Sequence, residues 1–588
     1  MNIATTIPTP STPDVCTIAL VVGGKEIPSW FHILSVTVNR ELNRIPSASI
    51  QIEDGEAAKA TFAASNAEYF LPGKAIEIQL GYRAQNQTVF KGTIIKQRIK
   101  VRKSGNVLSV ECFADVVKAS SGHKSRYFVD KTDSDIMGEV LDAHGLAKDV
   151  EATSATLGQV VQYDATDWDF LLCRAEANGQ VVMVEDDKVR VAIPAADGSP
   201  VLQISYGSTV LELDAEIDAR WQSKGIKASA WSAADQALVE ADGNEPSTPA
   251  AGNIAAADLA KVLGDTIDEI RHGGAIDPAQ LQTWVDARLL RMRLARLRGR
   301  ARCQGFADVL PGKIVEITGI GERFEGKLYV SGVRHSVSAG NWETDVQFGL
   351  NPELFAETHN LRPLPAAGLL PNASGLQIGV VTALENDPEG EDRIKCRLPL
   401  VGSNDEGIWA RLATLDAGEK RGTFFRPEID DEVVVGFLND DPRDPVILGM
   451  CHSSAKAAPE PAKDTNHHKG YVSREKLKLT FDDDKKIIAL ETPAGNSFAL
   501  SEDARGIVLK DQNGNKITLD DSGITIETDK DLVLKAGKDV KLSGMNTEFS
   551  AKSAFKASGT ATAEMSGAQT KISGDAMTVI KGGMVQIN

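Results

Sequence analysis

The alternation of apolar and polar residues dominates the N-terminal part of the chain. From Thr17 to Val117, runs such as IALVVGG, ASIQIEDG and VLSVECF place apolar residues at alternate positions, with glycine or asparagine turns between them. Successive side chains of a β-strand point to opposite faces, so this pattern indicates strands with one buried face. We therefore predict an antiparallel β-barrel or β-sandwich here.

Helical spacing interrupts this pattern in a few places. The run DSDIMGEVLDAH at 133–144 predicts a short helix with Asp133 as its N-cap and Gly145 as its stop signal. A second helix is predicted after Asp167 and ends at Gly179. The clearest helical pattern runs from Pro278 to Arg298, with proline in the first turn.

An internal repeat follows these helices. LPGKAIEI at 71–78 recurs as LPGKIVEI at 310–317, and each copy is followed by a Phe-x-Gly, at 90–92 and 324–326. One Pro-Gly turn before a strand is a common local structure. Two copies in the same order predict two related β-barrels in one chain, with chance similarity of turn-strand units as the alternative.

The C-terminal part has a shorter repeat, in which two inward residues flank one outward residue. The triplets begin at Phe498, Ile507, Ile517, Ile524, Leu532 and Val540, which are 9, 10, 7, 8 and 8 residues apart, and pairs such as Met577/Val579 continue the pattern. A repeat of about eight residues is typical of a β-helix or β-prism. One chain could hardly close a dry core around two apolar residues per repeat, so we predict a triple-stranded β-helix formed by a homotrimer. The alternative is a single-chain right-handed β-helix, whose coils need roughly 20 residues.

Composition narrows the possible partners. The net charge of -18 and the pI near 5.1 argue against nucleic acid and against docking on an anionic membrane surface. The six cysteines form no CxxC pair, which indicates reduced thiols in a chain made in the cytoplasm. The N-terminus has no basic region followed by an apolar run, so we expect no signal peptide.

Residues 376–451 resemble the oligonucleotide/oligosaccharide-binding (OB) domain of VgrG-like spike proteins and myophage baseplate spikes. The resemblance lies in RIKCRLP at 393–399, WAR at 409–411, GTFFRPEIDDEVVVGF at 422–437 and DDPRDPVILG at 440–449. Upstream, Tyr163, DWDFL at 167–171, Arg174, Leu310-Pro311-Gly312 and His335 are similar to the hub of the same family. Resemblance covers nearly the whole chain.

Together these patterns predict a mainly β protein in five segments. They are a flexible tail (1–14), a hub with two tandem β-barrels and helical insertions (15–365), an OB-fold domain (366–453), a linker (454–474) and a trimeric β-helix needle (475–588). The resemblance implies a non-enzymatic spike of a contractile injection system, either a phage-tail-like particle or type VI secretion. A polysaccharide-degrading or polysaccharide-binding tailspike is the alternative.

The family also implies partners. In a trimer the two hub barrels would present six barrels to a six-fold inner tube, beside other baseplate proteins, and the needle would puncture the target cell membrane. We expect the protein to be assembled into a baseplate and delivered or released outside the cell. A blunt needle end would expose unpaired backbone groups, so we predict docking of a small tip protein at Val585, Gln586, Ile587 and Asn588. The resemblance implies that this partner is of the PAAR type.

No catalytic, cofactor-binding or metal-binding residue is predicted. Ser553-Ala554-Phe555-Lys556 matches SxxK but lies within the C-terminal repeat. The pair His467-His468 and the run Asp482-Asp483-Asp484 are interpreted as solvated linker and charged turn. Seven arginines between Arg288 and Arg302 form either a solvated helix face or a contact with acidic residues of a partner or of the trimer itself.

Overall fold

The computed structural model describes residues 7–12, 14–186, 188–195 and 197–587, and most of their regular structure is strand. The chain divides into two units. The first holds the residues up to Leu376 together with Gly436–Pro445, and the second holds Gln377–Val435 together with the residues from Val446 onward. Among the described residues, no helix is both long and apolar enough to cross a membrane.

The first unit begins with a curved sheet, which we call module 1. Its strands are β1 (Cys16–Val22), β2 (Lys25–Glu26), β3 (Ile33–Glu41), β4 (Ser47–Glu53), β5 (Ala75–Tyr82), β6 (Gln85–Arg102) and β7 (Gly105–Phe113). They pair in the order β2-β1-β5-β6-β7-β4-β3. The predicted alternation is present, since every second residue of β4 is buried, and side chains such as Ile50, Ile78 and Leu108 form the core.

Two helices and five short strands follow module 1. The elements are β8 (Lys124–Thr132), α1 (Asp133–Asp142), β9 (Ala147–Val150), β10 (Thr156–Ala165), α2 (Asp167–Ala177), β11 (Val181–Val184) and β12 (Lys188–Ala192). The N-cap of α1 is Thr132 rather than the predicted Asp133, because the Thr132 side chain accepts the Asp135 N–H. Met137, Leu141 and Leu171 belong to the core between the helices.

A second curved sheet, module 2, follows and contains a helical insertion. Its strands are β13 (Leu202–Ser205), β14 (Glu212–Ile217), β18 (Leu297–Gln304), β19 (Ile314–Thr318), β20 (Gly326–Ser338) and β21 (Asn341–Phe348). The insertion contains β15 (Gly225–Ser232), β16 (Ala237–Asp242), α3 (Ala256–Ala260), β17 (Ile267–His272) and α4 (Pro278–Leu294), and α5 (Phe355–Thr358) follows module 2. The predicted helix end at Arg298 is wrong, because the chain from Leu297 pairs with β14 and β21 instead.

The two modules repeat one another as predicted, and their strands belong to one 13-stranded sheet. Module 2 pairs in the order β13-β19-β20-β21-β18-β14, which is the order β1-β5-β6-β7-β4-β3 of module 1. The first pair differs in direction, because β13 is parallel to β19 whereas β1 is antiparallel to β5. The two LPGK turns are equivalent in detail: Gly73 N–H donates to the Ile94 carbonyl at 2.8 Å, and Gly312 N–H donates to the Val330 carbonyl at 2.9 Å. Both glycines have positive φ, +95° and +85°, which favours glycine. Duplication therefore accounts for the sequence repeat.

The next domain is a closed barrel. Its elements are β22 (Gln377–Ala383), β23 (Ile394–Arg397), β24 (Ile408–Leu412), β25 (Ala417–Gly418), β26 (Arg421–Gly422), β27 (Glu432–Phe437) and β28 (Pro445–Met450), of which β25 and β26 form a separate hairpin. The other five close in the order β22-β23-β24-β28-β27. Val381, Cys396 and Val433 are fully buried inside it. This barrel is the predicted OB fold.

The C-terminal part of the second unit is an antiparallel meander. Its strands are β29 (His468–Val472), β30 (Lys478–Asp482), β31 (Ile487–Glu491), β32 (Ser497–Ser501), β33 (Gly506–Lys510), β34 (Lys516–Asp520) and β35 (Gly523–Glu527). The strand β29 lies within the range predicted as linker. Four predicted triplets lie in β32–β35, but none of the described residues after Glu527 is in a strand. Residues 529–587 are exposed in the single chain.

Candidate interaction surfaces

One side of the C-terminal meander is apolar, and we call it the apolar face. The first and last residues of each triplet meet across neighbouring strands, so Leu509 lies between Phe498 and Ile517. In β31–β35 the face comprises Leu490, Phe498, Leu509, Ile517 and Ile526 in one column and Ile488, Leu500, Ile507, Leu519 and Ile524 in the next. Leu479 and Phe481 of β30 continue the two columns. Leu509 is 49% exposed and Ile524 is 72% exposed. A contiguous apolar patch of this kind marks an interaction site.

The opposite side of the same sheet has a different composition. The central residues of the strands there are smaller or more polar than the leucines and isoleucines of the apolar face: Ala489, Ala499, Val508, Thr518 and Thr525. Ion pairs flank them, since Lys478 Nζ lies 3.6 Å from the Glu491 carboxylate and Lys516 Nζ lies 3.9 Å from that of Glu527. The sheet therefore has one side suited to water and one that requires a cover.

The predicted tip-docking residues lie at the end of the exposed segment. Val585 is 49% exposed and Ile587 is 85% exposed, and Gln586 lies between them. Asn588 lies outside the described residues. None of residues 585–587 lies in a strand, and the docking site remains a prediction.

The DWDFL motif of the hub centres on a buried carboxylate. The Asp167 side chain has no exposed surface. Its oxygens accept hydrogen bonds from Arg126 at 2.6 Å, from Gln162 at 3.0 Å and from Lys124, and the His144 ring nitrogen lies 2.8 Å away. Burial alone would raise the pKa of Asp167, but these hydrogen bonds and the charge of Arg126 lower it below its usual value. The carboxylate is therefore ionised and holds β8, β10 and the segment after α1 to the start of α2.

Arg174 of α2 holds α1 and α2 together. Its guanidinium donates to both oxygens of Asp133, at 2.6 and 2.8 Å. The Asn178 side chain donates to the same carboxylate at 2.8 Å. Both members of the pair are largely buried, so Asp133 and Arg174 position α1 against α2.

His335 is a core residue of module 2. It is 1% exposed, and its Nδ1 lies 3.0 Å from the Thr344 hydroxyl. Burial, with a smaller effect of the Arg40 charge, lowers the pKa of His335 to about 3. The ring is therefore neutral at physiological pH and has a packing role.

Acidification should weaken module 2 through this histidine. The folded pKa is below that of the unfolded chain, so its contribution is complete above pH 6.5 and is lost as the pH falls toward 3. At pH 5 the loss should be about 2 kcal/mol. We expect His335→Leu to show a smaller fall in melting temperature between pH 7.5 and pH 5 than the wild type. The exposed His123→Leu is the control and should behave like the wild type; an unchanged fall in His335→Leu would contradict the assignment.

The other candidate residues of the sequence have local roles. Ser553 and Lys556 lie in the exposed C-terminal segment. Asp482 accepts the backbone N–H groups of Asp484 and Lys485 at 3.1 Å each, as a charged turn does. Within the described residues, no group of His, Cys, Asp and Glu side chains is arranged to hold a metal ion.

The arginine-rich segment contacts acidic residues of its own chain. Only three of its arginines, Arg288, Arg291 and Arg293, belong to α4, so the solvated helix face is wrong for most of the segment. The contacts are Arg288 with Glu357, Arg291 with Glu176, Arg293 with Glu245, Arg298 with Glu216, and Arg300 and Arg302 with Glu212 and Asp345. Arg296 instead donates to the Ala251 carbonyl at 2.7 Å. These pairs hold the helical insertion and the strands of module 2 together.

Family comparisons match this architecture segment by segment. The Alg8 N-terminal domain matches residues 12–339, which is more than half of the chain. The type VI secretion system/phage-baseplate injector OB domain matches residues 377–452, which contain the closed barrel. The phage baseplate V C-terminal trimerisation domain matches residues 487–588. The chain belongs to the VgrG-like spike proteins, with an N-terminal part of the Alg8 N-terminal domain family.

This VgrG-like spike protein is also similar to individual proteins. It is 28% identical over 195 residues to the type VI secretion system spike protein VgrG1b of Pseudomonas aeruginosa, covering 30% of this chain and 25% of that protein. It is 30% identical over 132 residues to VgrG3 of Vibrio cholerae, covering 19% of this chain and 12% of that protein. The chain thus spans a quarter or less of the length of these two relatives. The 43 kDa tail protein of prophage MuSo2 from Shewanella oneidensis aligns with a TM-score of 0.44 at 12% identity, over 57% of this chain and 98% of that one.

The family match explains the asymmetry of the C-terminal sheet. The trimerisation domain begins at residue 487, the first residue of β31, and so contains β31–β35, which contribute most of the apolar face. The predicted family and the mainly β fold with an OB-type barrel are confirmed.

Proposed function

We propose that this protein is the structural, non-enzymatic spike of a contractile injection system, and that it acts as a homotrimer. The observation that carries the proposal is the apolar face, which is uncovered in one chain and lies mostly within the residues matched by the trimerisation domain. Three copies with these faces turned toward a common axis would bury both apolar columns. The polar side with its ion pairs would then face water.

The hub supports the proposed role at the tube. Modules 1 and 2 share one strand order and one type of LPGK turn, so each chain presents two similar surfaces. Three chains would present six, which fits a six-fold inner tube. Other baseplate proteins would surround this ring.

The remaining parts of the proposal concern the needle. The trimeric needle would puncture the membrane of the target cell, and its exposed residues 585–587, with Asn588, would hold a PAAR-type tip protein. The proposed domains are the tail 1–14, the hub 15–365, the OB fold 366–453, the linker 454–474 and the needle 475–588. The protein would be made in the cytoplasm without a signal peptide and delivered as part of the particle. The family matches favour this structural role over a polysaccharide-acting tailspike.

The mass of the full chain in solution tests the proposal. Sedimentation equilibrium should give a species of three chains, each of 62.9 kDa. Residues 487–527 supply a continuous apolar surface in each copy, so the trimer should persist at micromolar concentration. A folded monomer at that concentration would contradict the proposed spike.

A further inference from the structure

A main-chain ladder joins the two modules of one chain. Strand β3 of module 1 pairs antiparallel with β20 of module 2, with Ser35 opposite Ser338, Val38 opposite His335 and Glu41 opposite Gly332. Each of these strands has a second neighbour inside its own module, β4 for β3 and β21 for β20. Both edges of β3 and both edges of β20 are therefore hydrogen-bonded to a neighbouring strand over this range.

The duplication means that each module also carries the other half of this junction. By strand order, β14 of module 2 is the equivalent of β3, and β6 of module 1 is the equivalent of β20. In the described part of the chain, β14 pairs only with β18, and β6 beyond Thr93 pairs only with β7. The chain thus contains one complete junction, β3–β20. The equivalent edges of β14 and β6 have no partner strand among the described residues of the single chain.

We propose that β14 of one copy pairs antiparallel with residues 97–102 of β6 in a second copy, and so reproduces the β3–β20 junction between subunits. This inference rests on the proposed trimer. A strand edge with unpaired backbone groups is a template for such an addition.

The duplication also fixes the register. Ile94 and Val330 are equivalent, because each accepts the hydrogen bond of an LPGK glycine and each is followed by a one-residue irregularity in pairing. Counting from these anchors, Arg98, Lys100 and Arg102 occupy the places of Arg334, Ser336 and Ser338. On the other strand, the pair Ala48–Cys112 is equivalent to the pair Gly299–Phe348. Val38 is the β3 partner of Ala48, and Ala215 is the β14 partner of Gly299. Ala215 is therefore the equivalent of Val38.

The resulting pairs are complementary in charge on one face. Glu212 lies opposite Arg102, Asp214 opposite Lys100, and Glu216 opposite Arg98. Within the described residues none of these three basic side chains has an ion pair, and their neighbours on β7 are Ser109, Val107 and Gly105. The acidic strand already has arginines of β18 on its inner side, since Glu216 lies 2.7 Å from Arg298 and Glu212 lies 2.9 Å from Arg302. If β6 of a second copy paired with the free edge of β14, the acidic side chains of β14 would lie between basic side chains of β18 and of β6.

The other face of the junction is apolar. Leu213 would lie opposite Val101, and Ala215 opposite Ile99. Ile99 is 45% exposed and Val101 is 65% exposed, whereas Leu108, the β7 partner of Ile99, is fully buried. The exposure arises because the open edge of β6 has no neighbour, and a β14 strand placed there would cover both side chains. Intrachain and interchain junctions would then alternate around all six modules of the trimer.

A cysteine pair tests the junction in the full chain. Directly opposed residues of an antiparallel pair have Cα atoms about 4.5–5.5 Å apart, within disulfide range. We would introduce Lys100→Cys and Asp214→Cys together in a Cys451→Ser background, which removes the exposed native thiol. Oxidation should convert most of the protein to covalently linked trimers in non-reducing electrophoresis, because each chain supplies both halves of the junction.

A displaced pair is the matched control. Lys100→Cys with Glu212→Cys places the thiols on diagonal neighbours, about 7–8 Å apart, so it should crosslink several-fold less. Lys100→Cys alone should give no trimer ladder. A protein that sediments as a trimer but does not crosslink through the opposed pair overturns the junction and leaves the spike standing. A monomer overturns both.

Discussion

Replacing Leu509 by aspartate is expected to weaken the trimer strongly, so that the full chain dissociates at protein concentrations at which the wild type is trimeric. Leu509 lies in the middle of the apolar face, between Phe498 and Ile517 on the adjacent strands. In the trimer three carboxylates would meet near the axis without partners, and each buried unpaired charge costs several kcal/mol. Sedimentation equilibrium of the full chain measures the result directly, and circular dichroism would check that the strands of the hub remain folded.

The matched control is Val508→Asp in the same strand. Val508 points to the opposite side of the sheet, where its cross-strand neighbours are Ala499 and Thr518. A carboxylate there would face water, so this variant should sediment as a trimer. If both variants dissociate over the same concentration range as the wild type, the apolar face is not the interface. If both are monomeric, the assignment of the two sides is wrong.

Local pattern was enough to predict many strands. The triplet Ile507-Val508-Leu509 lies in β33, Gly506–Lys510, and the triplet Ile524-Thr525-Ile526 lies in β35, Gly523–Glu527. Alternation and glycine turns act over a few residues, so a sequence displays them directly. The repeated LPGK motif likewise predicted the duplication of the modules. Its turns need positive φ at Gly73 and Gly312, which is a local requirement as well.

Tertiary contacts account for the differences between the predicted and the observed elements. The helical pattern from Pro278 continues past Leu294, but the chain from Leu297 becomes β18 because β14 and β21 supply ladder partners on both sides. From Asp529 to Ile587 strands are predicted but are not formed in the single chain. The sequence repeat continues, yet one chain provides no neighbouring strands in the described residues, and the triplet at Leu532 is exposed.

The interaction surfaces were only partly visible in the sequence. The basic positions of the strand QRIKVR and the acidic positions of ELDAEI alternate with period two, which is a readable signal of charged faces. That both strands have an open edge follows only from the pairing of residues far apart in the chain. The same holds for Asp167, whose partners Lys124, Arg126 and His144 lie 23 to 43 residues away.

Replacing Asp167 by alanine is expected to destabilise the hub by about 3–5 kcal/mol. The carboxylate is fully buried and accepts hydrogen bonds from Lys124, Arg126 and Gln162, so its removal leaves cationic groups without their partner. The hub transition in differential scanning calorimetry should move down by several degrees. Because the pKa of Asp167 is lowered, its contribution is present at neutral pH and is lost only as the pH falls below the usual aspartate range, toward the lowered folded pKa.

The control is the same substitution at Asp169, two residues further along in the first turn of α2. Asp169 is half-buried, and its carboxylate accepts no hydrogen bond or ion pair from the described residues, although its own N–H is capped by Thr166. Asp169→Ala removes only a favourable charge at the start of α2, which is worth about 0.3–1 kcal/mol. We therefore expect a transition close to that of the wild type at pH 7. Equal melting temperatures for the two variants would mean that the buried cluster contributes nothing beyond the helix dipole, and that the DWDFL motif is kept in this chain for another reason.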